Sequence, residues 1–218
     1  MRLTKLIWIS GFSAVCLLAG KSWATDVMTR QQAINALTSQ SAKTKLDAIT
    51  RLAKIGQMQD SDALVAALKD SDPAVSTSAT SALWQIWARA NDKAVDQLYR
   101  KGIAQMSAGQ SLQAITTFSK IISIKPQFAE AWNKRATVYY FVGDLQKSIA
   151  DCDEVIKRNP NHFGALSGYG QIFAQMGDLD QALRYFEKAY AINPTMSGVA
   201  QAIKDIRKLQ EREGARRT

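Results

Sequence analysis

The chain has 218 residues, 46% of them apolar and 22% charged, which excludes an intrinsically disordered chain and supplies enough apolar surface for a packed core. Its formal charge of +9 favours anionic partners without identifying one. One histidine and two cysteines leave no paired metal ligands and no disulfide framework.

The N-terminus carries Arg2 and Lys5, then an apolar run from Leu6 to Gly20, then Ser22-Trp23-Ala24. A basic start, a short apolar stretch and small residues two apart form the three-part pattern of a secretory signal. The run is shorter than the roughly 20 residues a spanning helix needs, and Ser10, Gly11 and Ser13 dilute it. Cleavage is expected after Ala24, making residues 1–24 a signal peptide. The mature chain would be periplasmic in a bacterium with an outer membrane and secreted otherwise. Loss of Arg2, Lys5 and Lys21 would lower the charge to +6. Cys16 would leave too, so Cys152 would stand alone, read as a small buried apolar residue.

Residues 27–37 suggest one helix. Residues 42–101 then show a period of 31, with Ala48, Leu52 and Ile55 returning as Ala79, Leu83 and Ile86. Leu64 and Leu68 return more loosely as Val95 and Tyr99. Asp72-Pro73 marks a helix start, with Asp as the cap and Pro in the first turn. The pattern from Asp70 through Pro73 and Val75 to Ala79, Leu83 and Ile86 resembles short HEAT-like repeats, departing at Ser76 where that family has Arg. Because residues 87–98 contain no Gly or Pro, a nearly unbroken helix is expected to join this region to the next, giving one continuous solenoid.

A second period dominates the rest. Pro126, Pro160 and Pro194 are three of the four prolines and lie 34 residues apart. Leu98, Trp132 and Leu166 keep the same phase, as do Gly109, Gly143 and Gly177. So do Gly102, Ala136 and Gly170, then Ala114, Ser148 and Ala182, then Phe118, Cys152 and Phe186. The large residues are spaced to pack between two helices and the small ones to let helices approach. Gly143 and Gly177 each suit a left-handed residue at a helix end. Asp144 and Asp178 follow as caps for a second helix, and each Pro closes a unit. A fixed period of 34 marks a helix-turn-helix array.

After Pro194, the apolar stripe Val199, Ile203, Ile206 and Leu209 reads as a capping helix with one wet face, ending in a basic tail. The predicted fold is all-α, a right-handed α-solenoid of helix-turn-helix repeats with a C-terminal capping helix. Its expected divisions are residues 25–94, 95–194 and 195–218.

Nothing in the chain reads as a catalytic motif, a metal site or a cofactor site. There is no phosphate-binding glycine loop, nucleophile elbow or paired zinc motif. His162, in the turn after Pro160, has no evident partner. Asp151, Asp153 and Glu154 read as a solvated face. Gly164 and Gly168 are unusual inside a helix, and either a neighbouring helix approaches there or a shallow pocket opens.

The 34-residue units over residues 95–194 resemble the tetratricopeptide repeat family. The third unit, Phe163 to Pro194, fits best; the first departs at Gln105, where the family has an aromatic, and the second at Ser148 and Cys152. The resemblance implies that the first helix of each unit lines a concave groove for an extended or helical peptide. By phase, its residues are Tyr99, Ile103 and Met106, then Asn133, Thr137 and Tyr140, then Ser167, Gln171 and Ala174. Tyr99 and Ile103 stand where some members place a Lys and Asn clamp for a carboxylate. Lys101 and Arg135 replace a usually apolar residue, to snorkel or to reach an acid. The expected function is a non-enzymatic, exported adaptor or scaffold with a protein or peptide partner and no nucleic acid. The alternative is a binder of anionic envelope polymer or lipid through Lys204, Arg207, Lys208, Arg212, Arg216 and Arg217.

Overall fold

The computed structural model describes residues 27–217, with side chains to Arg212. The expected signal peptide, residues 1–24, lies outside the described residues. Those residues form eleven α-helices, one 3-10 turn and no strand.

The N-terminal layer comprises α1 (Arg30–Ala36), α2 (Ala42–Ile55), the 3-10 turn Met58–Asp60, α3 (Ser61–Ala67) and α4 (Pro73–Trp87). Local chemistry sets each start. Thr29 and Gln32 form a reciprocal capping box on α1, and Ser41 caps α2. Asp72 accepts the Ala74 N–H while Pro73 fills the first helical position of α4. Ala48, Leu52, Leu64, Ala79 and Leu83 are fully buried in one core, whereas Val95 and Tyr99, the looser returns of Leu64 and Leu68, belong to the separate core of the first repeat.

The repeats follow as three helix pairs. They are α5 (Lys93–Ser107) with α6 (Ser111–Ile124), α7 (Ala129–Phe141) with α8 (Leu145–Arg158), and α9 (Phe163–Gln175) with α10 (Leu179–Ile192). The closing helix α11 spans Ser197–Arg217, so the basic tail continues it through Arg217. Gly143 and Gly177 take φ of 83° and 81°, the left-handed geometry that lets the chain turn between paired helices. Asp144 and Asp178 accept backbone N–H groups at the next helix start. Of the in-phase large residues, Leu166 is buried, whereas Leu98 and Trp132 are only half-buried. Trp132 donates to the Pro126 carbonyl at 2.9 Å and lies under the Arg135 and Arg158 guanidinium groups. Arg135 itself holds Asp151 bidentately at 2.7 and 2.8 Å, which answers why a cation replaces an apolar residue there and removes Asp151 from the solvated face.

The junction differs from the expected unbroken helix. α4 ends at Trp87, residues 88–92 are irregular, and α5 begins at Lys93. Asn91 adopts φ of 54°, and Asp92 caps α5 by accepting from Ala94 and Val95 N–H groups. An Asn-Asp pair supplies both a left-handed residue and a cap without Gly or Pro. The N-terminal layer therefore does not run end to end into the repeats. Its α4 lies instead against the turns that close them. Trp84 and Trp87 meet His162 and Phe163 at the start of α9, and Thr80 meets Asn193 and Thr195 beyond α10. Asp62 reaches the turn before α9, accepting from the Asn161 amide at 3.2 Å.

Candidate functional site

The second repeat departs from its neighbours at two coupled positions. In the first and third units a glycine faces a phenylalanine. A Cβ on Gly102 would sit 2.7 Å from the Phe118 ring, and one on Gly170 would sit 2.5 Å from Phe186. In the second unit the same phase holds Ala136 and Cys152, which share one buried cluster. Alanine adds the Cβ that a phenylalanine would strike, and cysteine removes the ring. The exchange avoids the clash but leaves the ring's volume unfilled, since interiors elsewhere are close-packed.

A pocket of about 60 Å³ opens there between α7 and α9. Ala136, Cys152, Ile172 and Gly168 form apolar parts of its wall, and Asn133, Thr137, Tyr140 and Gln171 supply polar groups. The nearest atom to a Cβ added at Gly168 would be the Cys152 sulfur at 3.8 Å, so Gly168 widens the pocket. Gly164 has the opposite cause: a Cβ there would lie 2.4 Å from Trp84 of α4. The two glycines thus divide between the two explanations for them, one serving a pocket and one a close packing. Phe141, exposed by 74%, also lines the pocket and gives it an apolar side chain open to solvent.

Four of the sequence-predicted groove residues line this pocket: Asn133, Thr137, Tyr140 and Gln171. The Asn133 amide also donates to Glu130 at 3.1 Å, which fixes its orientation, and Thr137 donates to the Asn133 carbonyl. The other five lie elsewhere, Ala174 among them, half-buried against the third-repeat core. Tyr99 is a core residue, 8% exposed, with its ring against Phe118 and Phe128 and its hydroxyl donating to Glu130 at 3.3 Å. It is unavailable to a groove ligand. Burial and the Glu130 charge push its hydroxyl well above the ordinary tyrosine range. Ile103 and Met106 pack half-buried on the first-repeat core, and Ser167 is buried in α9. Its in-phase equivalents Asn133 and Ser167 are equally buried, so this position of the repeat faces inward in every unit.

Sequence reasoning missed a buried polar cluster beside the pocket. His162 is fully buried and does have partners: its Nε2 lies 2.9 Å from Glu130 Oε2, and its Nδ1 accepts the Ala165 N–H at 3.0 Å, capping α9. Since Nδ1 accepts, Nε2 carries the hydrogen and donates to the carboxylate. Burial alone would raise the Glu130 pKa, but the His162 hydrogen bond and the Lys134 charge outweigh it and bring it down to about 2. Lys134 bridges Glu130 at 2.9 Å and also lies over the Trp84 ring. The signal was present in the phase: His162 falls where the other units have Phe128 and Met196, so a polar residue there implies a buried partner.

Cys152 is 2% exposed, and burial first, then the charges of Asp151 and Asp153, push its thiol up to about 12. It is a wall of the pocket, as its reading as a buried apolar residue implies, not a nucleophile.

Stacked helix pairs with a recessed, uncharged pocket between successive first helices define an α-helical repeat scaffold. Residues 127–195 match the tetratricopeptide repeat family model, so the chain carries repeats of that family there. It is 29% identical over 145 residues to a TPR repeat-containing protein of Rhizobium etli, covering 66% of this chain and 71% of that one. It is 25% identical over 113 residues to the Hsp70-Hsp90 organizing protein of Triticum aestivum, covering 52% of this chain but only 19% of that one. Among solved structures, the first TPR domain of Spaghetti bound to an HSP90 peptide superposes with a TM-score of 0.52 at 19% identity, over 54% of this chain and 93% of that one. These likenesses support the repeat fold.

Proposed function

We propose that this protein is an exported, non-enzymatic adaptor that holds a partner peptide in the pocket between α7 and α9. The observation that carries this reading is the gathering of Asn133, Thr137, Tyr140 and Gln171 around one recess with an apolar floor. Amide and hydroxyl groups there suit the backbone of an extended peptide, and the floor suits one small apolar side chain. The wheat relative is named for organizing Hsp70 and Hsp90, and the Spaghetti domain was solved with an HSP90 peptide. Their partners are not carried over, since neither Tyr99 nor Ile103 offers a carboxylate clamp. Export rests on the pattern of residues 1–24, and among the described residues no helix is long and apolar enough to cross a membrane.

The test is capture of envelope proteins by the mature chain with crosslinking. Tyr140→Ala combined with Gln171→Ala should lower capture at least tenfold with little dependence on moderate salt. Short-range contacts are affected little by screening, whereas exposed charges are screened over roughly 8–10 Å. Capture that survives this double variant but disappears in modest salt would favour binding of an anionic polymer through α11. On that helix Lys204, Lys208 and Arg212 are exposed, while Arg207 is paired with Glu187 at 2.6 Å. Mass spectrometry of the mature protein should find Thr25 first; an intact N-terminus would refute the export half of the proposal.

A further inference from the structure

A second recess lies where the N-terminal layer meets the repeats. It measures about 260 Å³ and draws its walls from four separate segments. These are Met58 of the 3-10 turn, residues 86–91 at the end of α4, the turn from Lys125 to Ala129, and Arg158-Asn159 at the end of α8. Three of the lining residues, Arg89, Lys125 and Arg158, are cations, and none is an acid.

These cations are held in place mainly by backbone carbonyls. Arg89 donates to the carbonyls of Lys54 at 2.5 Å and Gly56 at 3.2 Å, and Lys125 donates to that of Ala90. Neither has a carboxylate partner among the described residues. Arg158 has one, Glu154, and also donates to the Pro126 carbonyl. The Asp96 carboxylate accepts the Ala90 N–H at 2.8 Å. Carbonyl contacts fix the geometry of a cation without cancelling its charge, so the recess keeps a positive potential. The helix termini add no net positive charge, since the C-termini of α4, α6 and α8 meet the recess along with the N-terminus of α7. Glu130 sits in that first turn, but its carboxylate is engaged by His162, Lys134 and Tyr99.

Two buried side-chain polar atoms have no hydrogen-bond partner among the described residues, Arg89 Nε and Asn159 Nδ2. Both belong to residues that line this recess. Asn159 is 4% exposed, and its in-phase equivalent Asn193 shows what an ordinary pairing looks like. Each asparagine accepts a backbone N–H two residues on, from Asn161 and Thr195. The Asn193 amide then donates to Thr80, whereas the Asn159 amide donates to nothing in the chain. An unpaired buried donor is costly, so such groups normally have a partner.

We infer that this recess binds a small organic anion. Its carboxylate or phosphate group lies beside Lys125 and draws the unpaired donors of Arg89 and Asn159, otherwise covered, towards it by side-chain rotation, and its apolar body lies against Met58, Ile86, Trp87 and Phe128. The lining is mixed in the same way: half of it is apolar side chain and half is donor or cation. Because the walls come from both layers, the ligand also clamps the N-terminal layer to the repeats. Binding only to the docked form raises stability by mass action.

Isothermal titration and thermal melts of the mature chain at constant ionic strength test this, with phenyl phosphate, benzoate, inorganic phosphate and benzyl alcohol as probes. Saturable binding and a raised melting temperature are expected with phenyl phosphate, benzoate or both, and which of them binds identifies the headgroup. Arg89→Gln should weaken binding about tenfold or more, the effect of one lost charge-assisted hydrogen bond. Lys125→Gln should weaken it as well, and serves if Arg89→Gln folds poorly. Lys204→Gln, which removes an exposed charge on α11, should change nothing. The inference is overturned if no anion binds saturably. It is also overturned if benzyl alcohol binds as well as benzoate, if inorganic phosphate binds as tightly as phenyl phosphate, or if the Arg89 and Lys125 variants bind normally.

Discussion

The Trp87 ring of α4 stacks on the imidazole of His162, with centroids 4.6 Å apart and planes inclined by 24°. The residues are 75 positions apart in the chain. Through His162 the contact continues to Glu130 and from there to Tyr99, so one buried cluster joins α4, α5, α7 and the start of α9. The N-terminal layer and the repeats should therefore unfold together. Trp87→Ala is expected to cost roughly 3–5 kcal/mol, as for other buried large-to-small changes. Urea denaturation followed by circular dichroism measures it. Two separate transitions in the wild type would contradict the coupling.

Glu130 gives the acid limb of stability a defined sign. Its folded pKa of about 2 is below the unfolded value near 4.5. The carboxylate's contribution is therefore complete above the unfolded value and is lost as pH falls through about 2. Glu130→Gln should destabilise the protein by roughly 3 kcal/mol at pH 7, the scale for removing one member of a buried charged network. The gap between variant and wild type should narrow between pH 4.5 and 2. A gap independent of pH over that range would show that the carboxylate charge is not what the cluster uses.

The exchange of ring and methyl in the second repeat predicts strong coupling. Cys152→Phe alone should strike the Ala136 Cβ and destabilise by about 1–3 kcal/mol, as overpacking does. Adding Ala136→Gly should recover most of that loss, because it recreates the close approach seen at Gly102–Phe118 and Gly170–Phe186. The double variant should fold and yet fail to capture the partner, since the new ring fills the pocket. Denaturation and capture measured on the same preparations check both halves; additive effects would remove the basis for treating the pair as one device.

The Cys152 thiol, with its pKa pushed up to about 12, should be almost wholly protonated at pH 8. Native protein should react with iodoacetamide far more slowly than urea-unfolded protein, as mass spectrometry of the alkylated chain would record. Rapid alkylation of the folded chain would mean that the pocket exposes the sulfur.

Much of the helical architecture is local and was legible in the sequence. Gly143 and Gly177 stop helices because their φ is positive, Asp144 and Asp178 start the next ones by accepting N–H groups, and Asp72-Pro73 opens α4. Each of these effects acts within a few residues, so spacing alone located them, and the 34-residue period gave the stacking of α5 to α10. The Asn91-Asp92 break escaped notice because a left-handed asparagine does the work usually assigned to Gly or Pro. Phase brought Asn133, Thr137, Tyr140 and Gln171 to one recess, whereas Tyr99 lies in the core, because phase fixes a residue's place along a repeat but not how far that place is buried.

What only the tertiary structure decided is where α4 lies. Trp84 and Trp87 have no periodic relation to His162, and a fully buried His162 with Glu130 is possible only when chain segments far apart in sequence exclude water from both sides. The same packing brings Arg89, Lys125 and Asn159 to one recess. Local propensity sets helices and turns through short-range hydrogen bonds and sterics. The burial of charge and the shape of a cavity depend on which surfaces meet, which no single segment specifies.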